Sequence, residues 1–239
     1  CIEKGWFLDE YSKNRQFFTY DNACKIGAIN KKIKEWHKKN YITSKENAFL
    51  VASLIDSMDK VANTAGTYYA YLKDWTTKAL NVFEYKFIEP IKGKYKGYSY
   101  QVDALKLIQK QHYDIVYLDP PYNERSYSRY YHLPEVIARQ IEPEVNGKAG
   151  IPNIELQKSN YNNKTKALES FKQLIDSVDC KVLLFHYTDN GLIEKADIIE
   201  IFKNYGTISE YYLDCLGYST KQEIRKDMHH IYMVNMKNG

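Results

Sequence analysis

One short apolar run, closed by two prolines, constrains this chain more than any other stretch: Asp114-Ile115-Val116-Tyr117-Leu118-Asp119-Pro120-Pro121-Tyr122. β-Branched and aromatic residues in a run of this length read as a buried strand. Proline cannot donate to a sheet ladder and holds φ at about −65°, so the strand must stop at Asp119. The result is a stiff, extended corner with a carboxylate before it and a phenol after it. In an open α/β sheet, that edge is where ligands bind. Such a corner suits chemistry on the exocyclic amine of a flat base. Asp119 can accept a hydrogen bond from an NH2 group, and the Pro120 carbonyl can accept another, since no helix or ladder uses it. Two acceptors on one amine draw its nitrogen toward sp3 character and aim the lone pair, while Tyr122 offers a ring face for stacking. The competing reading is a proline turn that closes a core strand. By average residue usage, Asp-Pro-Pro-Tyr arises by chance in roughly one chain in a thousand of this length. That rarity, and the position after a strand, favour the functional reading.

The rest of the chain alternates helices and strands around this run. Residues 20–38 carry Ile26, Ile29, Ile33 and Trp36 at helical spacing, with Asp21 as cap and a lysine-rich polar face. A second helix is expected after Ser44, apolar through Phe49, Leu54, Met58 and Val61. Residues 81–88 and 98–102 read as strands, and 105–111 and 133–140 as helices. Asp103 stands at a strand end, where an acid can accept hydrogen bonds from a cofactor or cap the next helix. Residues 142–164 form a long polar stretch of the kind that is functional or disordered. Further on come a helix from Thr165, a strand over 181–187, a helix over 192–202, and strands near 207–213 and 229–236 that flank Gly217-Tyr218-Ser219. Strand–helix alternation predicts a mostly parallel sheet with helices on both faces, the last two strands forming an antiparallel hairpin.

Asp119-Pro120-Pro121-Tyr122 resembles the catalytic motif of the adenine-N6 DNA methyltransferases. The likeness runs on through Arg139, and the D12 class is similar also in Val61 to Tyr68, Ala70 to Lys73, Gly147 to Gly150 and Leu183 to Leu192. The resemblance implies a Rossmann-like class I methyltransferase sheet with a helical segment over residues 20–75. It implies methyl transfer from S-adenosylmethionine to N6 of an adenine rotated out of double-stranded DNA, within a restriction-modification system. In that reading Asp119, Pro120, Pro121 and Tyr122 are catalytic, and Asp103, Ala104 and Asp119 meet the cofactor. Asn123, Arg125, Tyr127, Arg129, Tyr130, His132 and Lys148 contact DNA, with 142–164 reading the target sequence. The family's Phe-x-Gly-x-Gly turn, which wraps the methionine end of the cofactor, is not present among the 11 glycines. The sheet is therefore expected to be incomplete on its N-terminal side, the missing portion lying ahead of Cys1 or on a separate subunit. The expected division is a helical segment over 1–80 and the methyltransferase core over 81–239.

Composition adds limits. At 239 residues, 44% hydrophobic and 27% charged, the chain can bury a substantial core. No apolar run approaches the ~18 residues of a membrane span and no signal-peptide pattern opens the chain, so a cytoplasmic protein is expected. The four cysteines lack metal spacing and read as reduced thiols, no metal site is expected, and the pair His229-His230 reads as structural. A net charge of +4 with 23 tyrosines suits stacking on bases and neutralising phosphates, or simply an AT-rich coding bias. Three alternatives stay open: N4 of cytosine as acceptor, an adenine in RNA, or a catalytically silent DNA-binding fragment or subunit.

Overall fold

The computed structural model describes residues 5–109, 111–154, 158–216 and 226–237; Gly217-Tyr218-Ser219 and Cys1 lie outside them. In chain order, α1 (Trp6–Leu8) runs into a π-helical turn (Asp9–Lys13), then come α2 (Tyr20–Lys38), α3 (Ser44–Asp59), α4 (Thr77–Leu80) and α5 (Ala104–Ile108). Next are β1 (Tyr113–Leu118), α6 (Tyr127–Tyr130), α7 (His132–Arg139), β2 (Val145–Asn146) and β3 (Ile151–Pro152). A 3-10 turn (Asn160–Asn162), α8 (Ala167–Asp176), β4 (Cys180–Thr188), α9 (Lys195–Lys203), β5 (Gly206–Leu216) and β6 (Lys226–Met236) complete it. Among the described residues no helix is long and apolar enough to cross a membrane.

The chain divides into two compact units, Cys1–Lys96 with Tyr127–Gln157, and Gly97–Ser126 with Lys158–Gly239. A single break at residue 80 is therefore not what forms. The chain crosses between units three times, because Leu133 and Ile137 of α7 belong to the same core as Phe17, Ile26, Leu54 and Met58.

In the helical unit, α2 buries Ile26 and Ile33 as its spacing predicts, whereas Trp36 stays exposed. The cap of α3 is Thr43, one residue before the expected Ser44. Its hydroxyl accepts the Glu46 N–H, and the Glu46 carboxylate accepts the Thr43 N–H at 2.7 Å. Residues 81–88 are extended but join no ladder. Serines spaced four apart on α3 occupy the ladder's place: Ser57 Oγ accepts from Lys86 N–H (3.0 Å) and donates to the Lys86 carbonyl (3.1 Å), and Ser53 Oγ accepts from Ile88 N–H (3.2 Å). Asn22 Oδ1 takes the Phe83 N–H at 2.9 Å. Alternation marked an extended segment correctly, but its partner is a helix. The polar stretch 142–164 contains the β2–β3 hairpin, tied down where Tyr11 Oη donates to the Gly150 carbonyl and Arg15 to that of Gly147. A side chain at Gly150, whose φ is +66°, would meet the Arg15 side chain at 2.8 Å.

The second unit is built on a four-stranded sheet in the order β1-β4-β6-β5. β1 and β4 are parallel; β6 runs antiparallel to both its neighbours, so the sheet is mixed rather than mostly parallel. The expected strand over 98–102 does not form; α5 follows an irregular segment capped by Asp103. Leu183, Phe185, Tyr187, Tyr232 and Val234 point to one face and pack with Phe171 and Ile175 of α8 and Ile198 and Phe202 of α9. Ile115, Tyr117, Tyr211 and Leu213 stand on the opposite face, each about half exposed or more. Helices therefore cover one face within this unit, in place of the two expected. Cys24 and Cys180 are buried free thiols.

Candidate active site

The double proline does what its chemistry requires. β1 ends at Leu118, paired with Phe185, and Asp119 begins the corner. The Asp119 side chain is 50% exposed, and its Oδ1 lies 3.3 Å from His186 Nδ1. His186 is one step along β4 from the partner of Leu118, so the parallel register sets the two side chains on the same face. No other group among the described residues reaches that carboxylate within hydrogen-bond distance, which leaves Oδ2 open. No donor among them reaches the Pro120 carbonyl either. Two acceptors thus stand adjacent and uncommitted at the carboxyl end of a strand.

Tyr122 is braced from two sides. Its ring meets the edge of Tyr187 at 6.5 Å and 85°, and of His229 at 5.9 Å and 83°. Its carbonyl accepts the Leu192 N–H at 3.0 Å, which ties the corner to the turn after β4. That turn needs Gly191, because a Cβ there would run into the Tyr187 ring. The Tyr187 hydroxyl in turn accepts the Ile193 N–H at 3.2 Å. The ring of Tyr122 stays partly exposed, so it is held in position without being sealed.

Beyond Tyr122 the chain makes a pinned loop. Asn123 Oδ1 accepts the Arg125 N–H (2.9 Å), and Asn162 Nδ2 donates to the carbonyls of Asn123 (2.7 Å) and Arg125 (3.2 Å). Part of the Asn123 side chain is therefore spent on its own turn, while Arg125 is exposed. Asp103 caps α5 through the Leu105 N–H at 3.0 Å and, like Ala104, is exposed. Burial above all, then Tyr187 and Asp103, raises the Tyr161 phenol. Burial and the charge of Asp119 likewise raise Tyr117.

The remaining expected DNA contacts fall in the helical unit. Tyr127 and Arg129 are exposed on α6, with Tyr127 stacked on Tyr131 at 6.2 Å; Tyr130 packs on Tyr69, and Lys148 is exposed at the tip of the β2–β3 hairpin. His132 is a correction. It is fully buried beside Tyr11 and Phe17, donating from Nε2 to the Tyr68 carbonyl at 2.8 Å, and touches no surface. The His229-His230 pair is split by the pleat. His230 is buried on the helix-covered face between Asp189 (2.5 Å) and Glu210 (2.7 Å), with Lys195 on the same Glu210. Burial raises the Glu210 carboxyl, but Lys195, Tyr212 and His230 outweigh it and hold it below its usual range. His229 stands on the other face, hydrogen-bonded to His186 at 2.8 Å. His186, His229, Tyr187 and Asn162 were not singled out from the sequence as site residues; strand register brings the first three to the corner, and the 3-10 turn before α8 brings Asn162.

A family model for D12 class N6 adenine-specific DNA methyltransferase matches residues 6–201. The chain belongs to that family. Type II methyltransferase M.FokI of Planomicrobium okeanokoites is 36% identical over 197 residues, which is 82% of this chain and 30% of the relative. Modification methylase StsI of Streptococcus sanguinis is 33% identical over 203 residues, 84% of this chain and 31% of the relative. Type II methyltransferase M.NlaIII of Neisseria lactamica is 37% identical over 195 residues, 80% of this chain and 57% of the relative. The chain thus spans between 30% and 57% of the length of these D12-related methyltransferases. No solved structure matches it.

Proposed function

We propose that this chain carries the amine-binding half of an S-adenosylmethionine-dependent DNA methyltransferase acting on N6 of adenine in duplex DNA. The observation that supports this most is the pair of uncommitted acceptors, Asp119 Oδ2 and the Pro120 carbonyl, beside a braced, partly exposed Tyr122. An extruded adenine stacks on Tyr122 and gives its two N6 hydrogens to those acceptors, which turns the nitrogen lone pair away from the ring's conjugation. Rotating the base out costs a few kcal/mol of unstacking, which stacking and the two hydrogen bonds offset. No covalent enzyme intermediate is involved, so positioning is the main contribution of these residues. Pro121 keeps the corner extended. Arg125, Tyr127, Arg129, Tyr130 and Lys148 are proposed to meet phosphates and bases, with Asn123 shaping the loop that presents Arg125.

When bound, S-adenosylmethionine supplies an electrophilic methyl carbon. The residues present fit its adenine end: the exposed carboxylate of Asp103, next to Ala104 at the start of α5, suits the adenine amino group. The chain holds no Phe-x-Gly-x-Gly turn for the methionine end. We therefore place that turn on another stretch of polypeptide, either a further N-terminal portion or a separate subunit. β1 is an edge strand of the sheet among the described residues, so a further strand can pair along its outer side.

The test is nucleoside mass spectrometry after incubating the chain, joined by the polypeptide that carries the glycine turn, with isotopically methyl-labelled S-adenosylmethionine and duplexes of mixed sequence, with single-base swaps and an RNA counterpart as controls. Label only in N6-methyladenine of the duplex is expected. Label on cytosine N4 or on RNA would transfer the assignment to those acceptors. Calorimetry reporting no cofactor binding, together with no label, would make the chain a silent DNA-binding module.

A further inference from the structure

Asp119 has a single partner among the described residues, and that partner is itself held. His186 Nδ1 faces Asp119 Oδ1 at 3.3 Å and Tyr117 Oη at 3.2 Å, while His186 Nε2 lies 2.8 Å from His229 Nδ1. All four side chains stand on the sheet face opposite the buried core. Tyr117 is on β1 and Asp119, two residues on, follows its end; His186 is one step beyond the partner of Leu118; and His229 of β6 pairs with Thr188 of β4, two beyond His186. His229 also presents its ring to Tyr122. A neutral imidazole carries one proton, so this geometry allows two states. With the proton on Nδ1, His186 can give it to Tyr117 Oη, the hydrogen-bond partner at that nitrogen, or turn it to the Asp119 carboxylate 3.3 Å away, and it accepts at Nε2 from His229. With it on Nε2, His186 donates to His229, and its Nδ1 lone pair takes the Tyr117 hydroxyl and faces the carboxylate without a hydrogen between them.

We propose that His186 is a positioning residue for Asp119, kept in its Nδ1–H form by His229. In that form it anchors Oδ1 and leaves Oδ2 directed at the amine. A carboxylate next to Nδ1 favours the proton there, and a donor at Nε2 reinforces the choice. His229 thereby connects the two halves of the corner, setting His186 on one side and bracing Tyr122 on the other. The inference rests on the proposed role of Asp119 as acceptor for the adenine amine.

Two measurements test it, one of which needs neither DNA nor cofactor. In 15N-edited NMR of the full chain at neutral pH, His186 is expected in the Nδ1–H tautomer, and Asp119→Ala should abolish that preference. In methyl-transfer kinetics, His186→Phe should lower kcat on the order of tenfold to a hundredfold, the cost of a small misplacement, with KM for DNA within about twofold. His186→Asn, whose amide nitrogen replaces Nδ1, should recover most of the rate, whereas a residue that only fills space would tolerate Phe as well as Asn. An Nε2–H tautomer in the wild-type chain, or equal rates for the Asn and Phe variants, would overturn the proposal. If the wild-type chain by itself transfers no methyl group, as the absent glycine turn would entail, the tautomer alone decides this inference, and the acceptor assignment is decided separately with the turn supplied.

Discussion

His132 carries a clear pH signature at the scale of one residue. Burial pushes its imidazole down to about 4 from 6.5, against the opposing effect of the Tyr68 carbonyl, and its Nδ1 has no partner. In the unfolded chain this histidine binds a proton below about 6.5; in the folded chain it does not until about 4. The unfolded state therefore holds more protons in that window, and stability rises with pH across it. The stabilisation is present above 6.5 and is lost as pH falls toward 4, amounting at most to something on the order of 3 kcal/mol. Urea midpoints measured between pH 7 and 4 should show this decline in the wild type and a shallower one in His132→Leu. The sequence holds a signal for that burial: Leu133, Val136 and Ile137 define the inner stripe of α7, and His132 lies on it. Asp119 and Tyr122 were legible because two prolines fix a corner by covalent geometry, whatever surrounds it.

At the scale of elements, the helices followed from spacing, and the strands only partly. A strand is defined by what it pairs with, and alternation in 81–88 cannot say that two serines of α3 will take the place of a neighbour. Ser57→Ala should leave the Lys86 N–H without its partner, costing about 1 kcal/mol and raising the hydrogen-exchange rate at Lys86 above that of the wild type. An unchanged rate would mean that water already serves that amide. The turn after β4 makes a sharper case. Gly191→Ala drives a methyl group into the Tyr187 ring, and overpacking of this sort costs about 1–3 kcal/mol. Because Tyr187 braces Tyr122, the variant should lose catalytic rate as well as thermal stability; a drop in Tm with unaltered kcat would detach the turn from the site. The pairing of His186 with Asp119 was hidden for the same reason as the serines: it depends on the register of β1 against β4, and nothing local in either strand states it.

At the scale of the whole molecule, the chain builds two cores, one among the helices around Phe17, Leu54 and Leu133, and one under the sheet around Phe171, Phe185 and Phe202. Leu54→Ala should cost roughly 3 kcal/mol. Hydrogen exchange should then rise in α2, α3 and α7 well before it rises in β4 and β6; a uniform rise would mean that the two units open as one. This division could not be read as a single boundary, because α6, α7 and the hairpin return to the first unit after β1 has been laid down in the second. Family membership is shared by both units, since the matching residues 6–201 run through each of them. Asp119 bears most directly on what the assembled chain does. Methyl transfer to duplex adenine, followed alongside the equilibrium affinity for the same duplex, should fall by about a thousandfold or more in Asp119→Ala while the affinity changes no more than severalfold. A variant that transfers methyl groups at the wild-type rate, or one whose loss lies entirely in duplex affinity, would contradict the assignment of Asp119 as the acceptor that holds the amine.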